Sequence, residues 1–129
     1  MYYGLVFQQY MIDPKATNYP VASIIFLIFI HLFLLMTTWA YFTTYFMDPG
    51  KPPVFWGFYL DDPEQKRRRY CLICHIFKPE RCHHCSACNR CVLNMDHHCP
   101  WLYTCVGYYN RKFFMQLLLY TWLTVLTII

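Results

Sequence analysis

The chain has 129 residues, enough for one small domain, and carries a formal net charge of +4. Hydrophobic residues make up 57% of it and charged residues only 14%, a composition that argues against an ordinary soluble protein. Ten of the eleven lysines and arginines, and all eight cysteines, lie between Lys51 and Lys112. A basic segment beside apolar spans is typical of the cytosolic side of a membrane, where thiols stay reduced. We therefore expect metal ligands or reactive thiols rather than disulfides.

The first residues of the chain are aromatic and apolar. The run Met1 to Ile12 is too short to cross a bilayer, which takes about 20 apolar residues. It has no basic start, so it does not look like a signal peptide. We predict that residues 1–20 form a non-cytoplasmic or interfacial segment.

Residues 21–47 contain no formal charge. As an α-helix they would extend about 40 Å, more than the hydrocarbon core of about 30 Å, so we predict a transmembrane helix. His31 lies near the middle of this stretch. We interpret it as a side chain that hydrogen-bonds a neighbouring helix rather than as a functional group.

Asp48-Pro49-Gly50 ends the predicted helix, because proline and glycine interrupt helical hydrogen bonding. It opens residues 48–70, a predicted cytosolic linker. The basic run at 66–69 favours a solvated face near anionic lipid.

Residues 113–129 are again free of formal charge and are predicted to form a second transmembrane helix, entered from the basic side. At about 25 Å this stretch barely reaches across a bilayer, so we expect it to be truncated. The sequence shows no internal repeat of structural length.

Residues 71–112 hold the cysteines and few aliphatic side chains, too few to fix such a segment by a hydrophobic core. Structural zinc can supply the missing stability, about 10–16 kcal/mol apparent per site in small peptides. A CxxC pair lies at 71–74, and cysteines recur at every third position across 82–91, around two adjacent histidines. This density predicts two zinc ions with four ligands each. Spacing alone leaves the ligands open: eight cysteines could fill two all-sulfur sites, or histidines could replace some of them and free cysteines for chemistry.

The pattern resembles the DHHC-type protein S-acyltransferases, or palmitoyltransferases. The resemblance covers residues 48–114 and centres on the run Asp96-His97-His98-Cys99. The further motifs that carry it are Asp48-Pro49-Gly50, Cys71-x2-Cys74, Lys78-Pro79, Arg81, His83-His84-Cys85, Cys88, Cys91, Pro100-Trp101, Cys105-Val106-Gly107, Asn110 and Phe114. One departure is Tyr103-Thr104, which stands where the family usually has Asn-Asn.

The resemblance implies two interleaved Cys3His zinc sites and one free nucleophile. The implied ligands are Cys71, Cys74, His84 and Cys91 for the first zinc, and Cys85, Cys88, His98 and Cys105 for the second. Cys99 is then the nucleophile, His97 its base and Asp96 the group that orients the base. Cys82 is left over and is interpreted as a bystander.

Physical chemistry also requires a base beside the nucleophile. A zinc ion with three thiolates carries about one net negative charge, so it is a poor source of thiolate stabilisation nearby. A cysteine with an ordinary pKa of about 8.5 is mostly protonated at pH 7. His97, held by Asp96, can remove the proton by the logic of a triad. If the run is extended, alternation turns His97 and His98 to opposite faces, so one can serve sulfur and the other metal.

The reaction that the resemblance implies has two steps. Cys99 takes a long-chain acyl group, typically palmitoyl, from acyl-CoA and passes it to a cysteine of a membrane-associated protein. Lys78, Arg81 and His83 are candidates for binding the CoA phosphates, and a general basic bias of cytosolic loops explains them equally well. Protein substrates, chain length and any accessory subunit stay open.

The predicted fold is an α-helical integral membrane protein with a cytosolic cysteine-rich double-zinc domain between two transmembrane helices. Because the family has four such helices, we expect an incomplete four-helix fold, and a chain that is a fragment, an isoform or part of a longer protein. On its own it should be a poor acyltransferase. The implied location is a multi-pass protein of the Golgi, the endoplasmic reticulum or the plasma membrane.

Three other functions fit parts of the pattern. A zinc-dependent binding module suits the basic charge, but the flanking spans and the Asp-His-His-Cys run argue against nucleic acid as its partner. A catalytically silent or truncated relative that only holds zinc and partners would carry no acyl group on Cys99. A thiol oxidoreductase is disfavoured because metal would occupy the CxxC pairs.

Overall fold

The computed structural model describes residues 20–57, 64 and 69–128. Along the chain, two α-helices lie on either side of three β-hairpins. The helices are α1 (Pro20–Phe46) and α2 (Arg111–Ile128); the strands are β1 (Tyr70–Cys71), β2 (Ile76–Phe77), β3 (His83–Cys85), β4 (Arg90–Val92), β5 (His97–Cys99) and β6 (Thr104–Val106). The predicted segment 1–20 lies outside the described residues except for its last position, as do positions 58–63 and 65–68 of the predicted linker.

Both predicted helices form. Helix α1 covers nearly the predicted stretch, because nothing charged interrupts it before the Asp-Pro-Gly turn. Among the described residues, one helix is long and apolar enough to cross a membrane by length and composition, Ile24–Phe46, with a mean hydropathy of 2.1. Helix α2 has 18 residues and does not meet that measure, since it opens with Arg111 and Lys112. That α2 crosses a membrane stays a prediction.

The chain divides into two compact units. One consists of the helical residues up to Ala40 and from Met115 onward, and the other is Tyr41–Phe114. In the helical unit, the Nδ1 atom of His31 lies 2.7 Å from the carbonyl oxygen of Leu27, one turn earlier in the same helix. In the second unit lie the three hairpins and every predicted site residue.

The three hairpins repeat one design. Strands β1–β2, β3–β4 and β5–β6 are antiparallel pairs, and each pair is closed by a four-residue loop. The last loop residue has a positive φ in all three: His75 (53°), Asn89 (48°) and Tyr103 (50°). Equivalent positions are 14 residues apart, so the expectation of no internal repeat is wrong. The sequence carries the same repeat, because the first two hairpins share a CxxC pair and the last two share His-His-Cys and Cys-Val, each 14 residues apart.

The core of the hairpin unit is made largely of sulfur. One buried cluster consists of Cys71, Cys82 and Cys91, with Cys74 and Ile76 packed against it. A second consists of Cys85, Val92 and Cys105, with Cys88 and Met95 packed against it. Because so few hydrocarbon side chains are buried, hydrophobic burial alone gives this unit little stability.

The Asp-Pro-Gly turn docks on the second hairpin. Asp48 accepts two hydrogen bonds from the guanidinium of Arg90, at 2.7 and 2.8 Å. These bonds lower the pKa of the Asp48 carboxyl to about 2. The backbone adds a second contact, because the amide of Leu93 donates to the Gly50 carbonyl at 3.0 Å. The turn therefore ends α1 and also attaches its end to the cysteine-rich unit.

Asn110 joins the end of α1 to the end of the third hairpin. Its side chain is fully buried. Its Oδ1 accepts a hydrogen bond from the Gly107 amide at 2.8 Å, and its Nδ2 donates to the carbonyls of Cys105 at 2.9 Å and Thr44 at 3.3 Å. A buried amide with this many partners fixes the backbone on which α2 begins.

The contact between the Asp-Pro-Gly turn and the hairpins can be tested at Gly107. A Cβ there would meet the Pro49 carbonyl oxygen at 2.7 Å, Val92 Cγ1 at 2.8 Å and the Leu93 carbonyl oxygen at 3.0 Å. Because two of these atoms are backbone, Gly107→Ala should lower the free energy of unfolding by about 2–3 kcal/mol. Thermal unfolding in detergent measures it, with Ser86→Ala in an exposed loop as the control. An unchanged melting temperature for Gly107→Ala would contradict this packing.

Candidate active site and metal centres

The first two hairpins bring four side chains together: Cys71, Cys74, His84 and Cys91. Cys71 ends β1 and Cys74 lies in the loop that follows, whereas His84 and Cys91 are register partners in β3 and β4. His84 Nδ1 lies 3.7 Å from the Sγ of Cys71 and 3.2 Å from the Sγ of Cys74. All four ligand atoms lie within 4.8 Å of one another.

A second group is built in the same way 14 residues later, from Cys85, Cys88, His98 and Cys105. His98 Nδ1 lies 3.6 Å from the Sγ of Cys85, 3.4 Å from that of Cys88 and 3.6 Å from that of Cys105. The Sγ atoms of Cys88 and Cys105 are 3.4 Å apart. These are the two sets of four that the family resemblance implied.

The distances suit a tetrahedral ion of the size of zinc. With Zn–S bonds of about 2.3 Å and Zn–N bonds of about 2.0–2.1 Å, tetrahedral ligands lie about 3.8 Å apart for two sulfurs and about 3.6 Å apart for sulfur and nitrogen. The measured separations lie close to those values. In each CxxC pair the second amide donates to the first sulfur, Cys74 to Cys71 at 3.5 Å and Cys88 to Cys85 at 3.4 Å. Each group can hold one metal ion.

Electrostatics also favours a cation in each group. Burial raises the thiol pKa of Cys71 and Cys85, but hydrogen bonds from loop amides and neighbouring thiols outweigh it, so both pKa values are lowered. Burial and the neighbouring sulfurs raise the thiol pKa of Cys91 and Cys105. Three sulfurs this close repel one another as thiolates, and a divalent cation removes that conflict.

The two groups share the second hairpin. This hairpin contributes His84 and Cys91 to the first group, and Cys85 and Cys88 to the second. The strand β3 turns adjacent side chains to opposite faces, so His84 and Cys85 can serve different ions. The first hairpin supplies only a CxxC pair, and the third supplies only His98 and Cys105. Two ions would therefore tie three hairpins into one body.

Cys99 occupies a metal-ligand position of the repeat but belongs to neither group. It is the third-hairpin equivalent of Cys71 and Cys85, and it is 6% exposed. Three residues later, where the other hairpins have the second cysteine of the pair, stands Leu102, which is 2% exposed. The Leu102 amide donates to the Cys99 carbonyl at 3.2 Å, whereas the equivalent amides donate to sulfur. The Cys99 thiol is thus available for chemistry.

Asp96 and His97 precede this cysteine closely in the chain, and His97 lies in the same strand, β5. His97 lies two residues before Cys99 in β5, so alternation turns both side chains to the same face. The Nδ1 atom of His97 lies 3.1 Å from Asp96 Oδ2, and its ring meets the ring of Phe114 edge-on at 5.0 Å. The Arg111 Nη2 lies 3.4 Å from the other carboxylate oxygen, Oδ1. A histidine held through Nδ1 leaves Nε2 to accept a proton.

Comparison with known proteins now places the chain. The sequence model of the DHHC palmitoyltransferase family matches residues 64–129, about half of the chain. The chain belongs to this family. Among similar proteins, the probable protein S-acyltransferase 12 of Arabidopsis thaliana is 45% identical over 114 residues, covering 79% of this chain and 39% of that protein. The palmitoyltransferase ZDHHC15 of Homo sapiens is 35% identical over 149 residues, covering 93% of this chain and 43% of that protein. The palmitoyltransferase ZDHHC20 of Mus musculus is 36% identical over 151 residues, covering 93% of this chain and 39% of that protein. This DHHC chain thus spans about two fifths of the length of these relatives.

The three predicted CoA contacts of this DHHC chain line one surface cavity of about 360 Å³. Lys78, Arg81 and His83 surround it together with Arg69 and Glu80, which pair with each other at 3.5 Å. Pro79 and Cys82 complete the lining. The cavity favours anions, because its lining has three basic side chains and a histidine but only one carboxylate, that of Glu80.

Cys82 packs against the first metal group without joining it. It is 4% exposed and contacts Cys71 and Cys91, yet the group that could hold a metal does not include it. Burial raises the pKa of the Cys82 thiol. A buried, protonated thiol behaves as a small hydrophobic side chain, which agrees with its interpretation as a bystander.

Sequence reasoning missed three features of this site. Leu102 explains why Cys99 is free, Phe114 packs on the candidate base, and Arg111 pairs with Asp96. In the sequence, Phe114 is only one position of the family motif, and Arg111 is only one of two basic residues that precede the second apolar stretch. The signal that could have found Leu102 is the 14-residue spacing of the CxxC positions.

The metal groups make a direct prediction. Purified protein should contain two metal ions per chain, and Cys85→Ser should lower that number because Cys85 lies in the second group. Cys82→Ser should leave it at two, since Cys82 lies in neither. Inductively coupled plasma mass spectrometry measures both. Equal losses in the two variants would mean that the bystander has been misassigned.

Proposed function

We propose that this chain is the acyl-transferring part of a protein S-acyltransferase. It would move a long-chain fatty acyl group, typically palmitoyl, from acyl-CoA to cysteine thiols of membrane-associated proteins. The observation that carries this is Cys99: a buried thiol at a metal-ligand position of the repeat, outside both metal groups and two residues from a histidine held by Asp96. The family membership supports the same reaction.

The first step forms an acyl-enzyme on Cys99. His97 Nε2 takes the proton from Cys99 Sγ, and the thiolate attacks the carbonyl carbon of the acyl-CoA thioester. The bond from that carbon to the CoA sulfur breaks, and the CoA thiolate leaves with the proton from His97. Asp96 accepts a hydrogen bond from His97 Nδ1–H and offsets the charge that the ring gains, as in other nucleophile–base–acid arrangements.

The second step repeats the chemistry with another thiol. A cysteine of the acceptor protein loses its proton to His97 and attacks the acyl-Cys99 carbonyl. The Cys99 thiolate leaves and is protonated, which restores the enzyme. No net charge or bond is gained in the cycle, so thioester exchange needs no energy source beyond acyl-CoA itself.

Two structural zinc ions are the metals we propose for the two groups, because Cys3His donor sets at these separations are typical of zinc. Bound zinc would stabilise the arrangement of the three hairpins. The residues that would hold the first ion are Cys71, Cys74, His84 and Cys91; those that would hold the second are Cys85, Cys88, His98 and Cys105.

The basic cavity is the proposed contact for the CoA phosphates, through Lys78, Arg81 and His83. We further propose that both helices cross a bilayer as part of a multi-pass protein of the Golgi, the endoplasmic reticulum or the plasma membrane. The hairpin unit would face the cytosol, where acyl-CoA is soluble and acceptor thiols stay reduced.

Cys99→Ser tests the nucleophile. It should abolish hydroxylamine-sensitive labelling from radiolabelled palmitoyl-CoA and keep both metal ions, because Cys99 lies in neither metal group. Cys82→Ser, a buried cysteine changed in the same way, should keep the label. Label that persists in Cys99→Ser would place the nucleophile elsewhere. A wild-type protein with both metals and no label would favour the alternative, a catalytically silent or truncated relative.

His97→Ala and His98→Ala separate the base from the ligand. His97→Ala should slow acylation of Cys99 by about 10²–10⁴-fold and keep both metals, since a general base contributes that much. Alkaline solution should restore part of the rate because hydroxide can make the thiolate. His98→Ala should lose a metal ion as well as activity, without recovery at high pH. The opposite pattern would exchange the two roles.

A further inference from the structure

Each oxygen of the Asp96 carboxylate has its own partner. Oδ2 lies 3.1 Å from His97 Nδ1, and Oδ1 lies 3.4 Å from Arg111 Nη2. The side chains of Asp96 and Arg111 are each 38% exposed, so both remain partly in water. The carboxylate therefore bridges the candidate base and a cation that takes no part in the two proposed steps.

Backbone hydrogen bonds fix the positions of both Asp96 and Arg111. The Asp96 amide donates to the Val106 carbonyl at 2.9 Å, and the Arg111 amide donates to the Gly107 carbonyl at 3.1 Å. Both residues are thus anchored on two adjacent residues, the last of β6 and the one that follows it. Buried Asn110 holds the second of these through the Gly107 amide. The spacing between the guanidinium and the carboxylate follows from this shared anchor.

The position of Arg111 is costly for the helix that contains it. Arg111 and Lys112 open α2, whose first turn contains no acidic residue, although the N-terminus of a helix disfavours cations. The carboxylate of Asp96, brought by β5, supplies negative charge there instead. Arg111 thus lies at a helix position that disfavours its charge, next to the carboxylate of the proposed Asp96–His97 pair. This placement points to a role for Arg111 in the candidate active site.

We propose that Arg111 is a positioning residue for the Asp96–His97 pair. By occupying Oδ1, it stops the carboxylate from rotating and keeps Oδ2 on His97 Nδ1. This fixes the ring with its proton on Nδ1 and its Nε2 free for the Cys99 proton. The role rests on the proposed function, and Arg111 would act through Asp96 without touching the substrate.

Lys112 offers a matched control. It follows Arg111, carries the same charge and is exposed, but its ammonium lies over the Phe113 ring at 4.8 Å. Arg111→Gln and Lys112→Gln therefore change the net charge equally, and only the first removes the partner of Asp96. Because a helix N-terminus disfavours cations, we expect Arg111→Gln to keep α2 folded, and thermal unfolding of both variants checks this.

The experiment uses the full chain in detergent and measures two rates. One is single-turnover acylation of Cys99 by palmitoyl-CoA at saturation; the other is alkylation of Cys99 by uncharged iodoacetamide, followed by peptide mass spectrometry. Arg111→Gln should slow both by about threefold to fivefold, the range for a partly exposed ion pair. Arg111→Lys should recover most of the loss, Lys112→Gln should change neither rate, and both metals should remain in every variant.

A double-mutant cycle with Asp96→Asn shows whether Arg111 affects Cys99 through Asp96. If Arg111 acts through Asp96, Arg111→Gln has no further effect on alkylation once Asp96 is changed. An equal effect in both backgrounds would overturn the proposal. The proposal would also be overturned if Arg111→Gln raised the palmitoyl-CoA concentration needed for half-maximal acylation and left the maximal rate unchanged. That result would mean that Arg111 contacts CoA. Because alkylation needs no acyl transfer, the test of Arg111 stands even if wild-type protein fails to acylate.

Discussion

Two metal groups that share one hairpin are the constraint on which the rest of this structure depends. Strand β3 turns His84 toward the first group and Cys85 toward the second, so one short strand contributes to both. Each ion would join two hairpins, and together they would join all three. Without ions the unit would have a core of closely spaced, buried sulfurs and very little hydrocarbon. Hydrogen bonds at Asp48 and Asn110 attach only the last residues of α1 and the turn that follows them to the hairpins, and they cannot replace the metal-binding core.

The candidate nucleophile follows from the same repeat with one change. The third hairpin keeps the strand pairing, the four-residue loop and the left-handed last loop residue, Tyr103. It lacks the second cysteine, and Leu102 fills that place and redirects its amide from sulfur to a carbonyl. Cys99 thus keeps the fixed position of a metal ligand and gains a free sulfur. Because the amide that would stabilise a thiolate is turned away, a neighbouring base becomes necessary, and His97 lies on the same face of β5.

The sequence was most informative where chemistry is local. Cysteine and histidine are rare and their spacing is short, so the density of CxxC pairs indicated two metal sites. The spacing left the ligands of each site open, and the family resemblance implied the two groups that the structure brings together. The charge-free stretch gave the bounds of α1 for a similar reason. Contacts between distant positions were not predictable. Asp48 and Arg90 are 42 residues apart, and nothing in either neighbourhood marks them as partners, because a charged residue in a basic loop has many candidate partners. The repeat was missed although it can be read in the sequence, because no single motif is common to all three hairpins. A CxxC pair joins the first hairpin to the second, and His-His-Cys joins the second to the third.

The second metal group and the chemistry are coupled through β5. His98 belongs to the candidate metal group, while the residues on either side of it, His97 and Cys99, are the proposed base and nucleophile. An ion held by His98 and Cys105 would lock β5 against β6, and this pairing also holds Asp96 through the Val106 carbonyl. The first group reaches the third hairpin only through the second. A metal with no part in bond making would therefore still set the geometry of the reaction, and the second ion would do so more directly than the first.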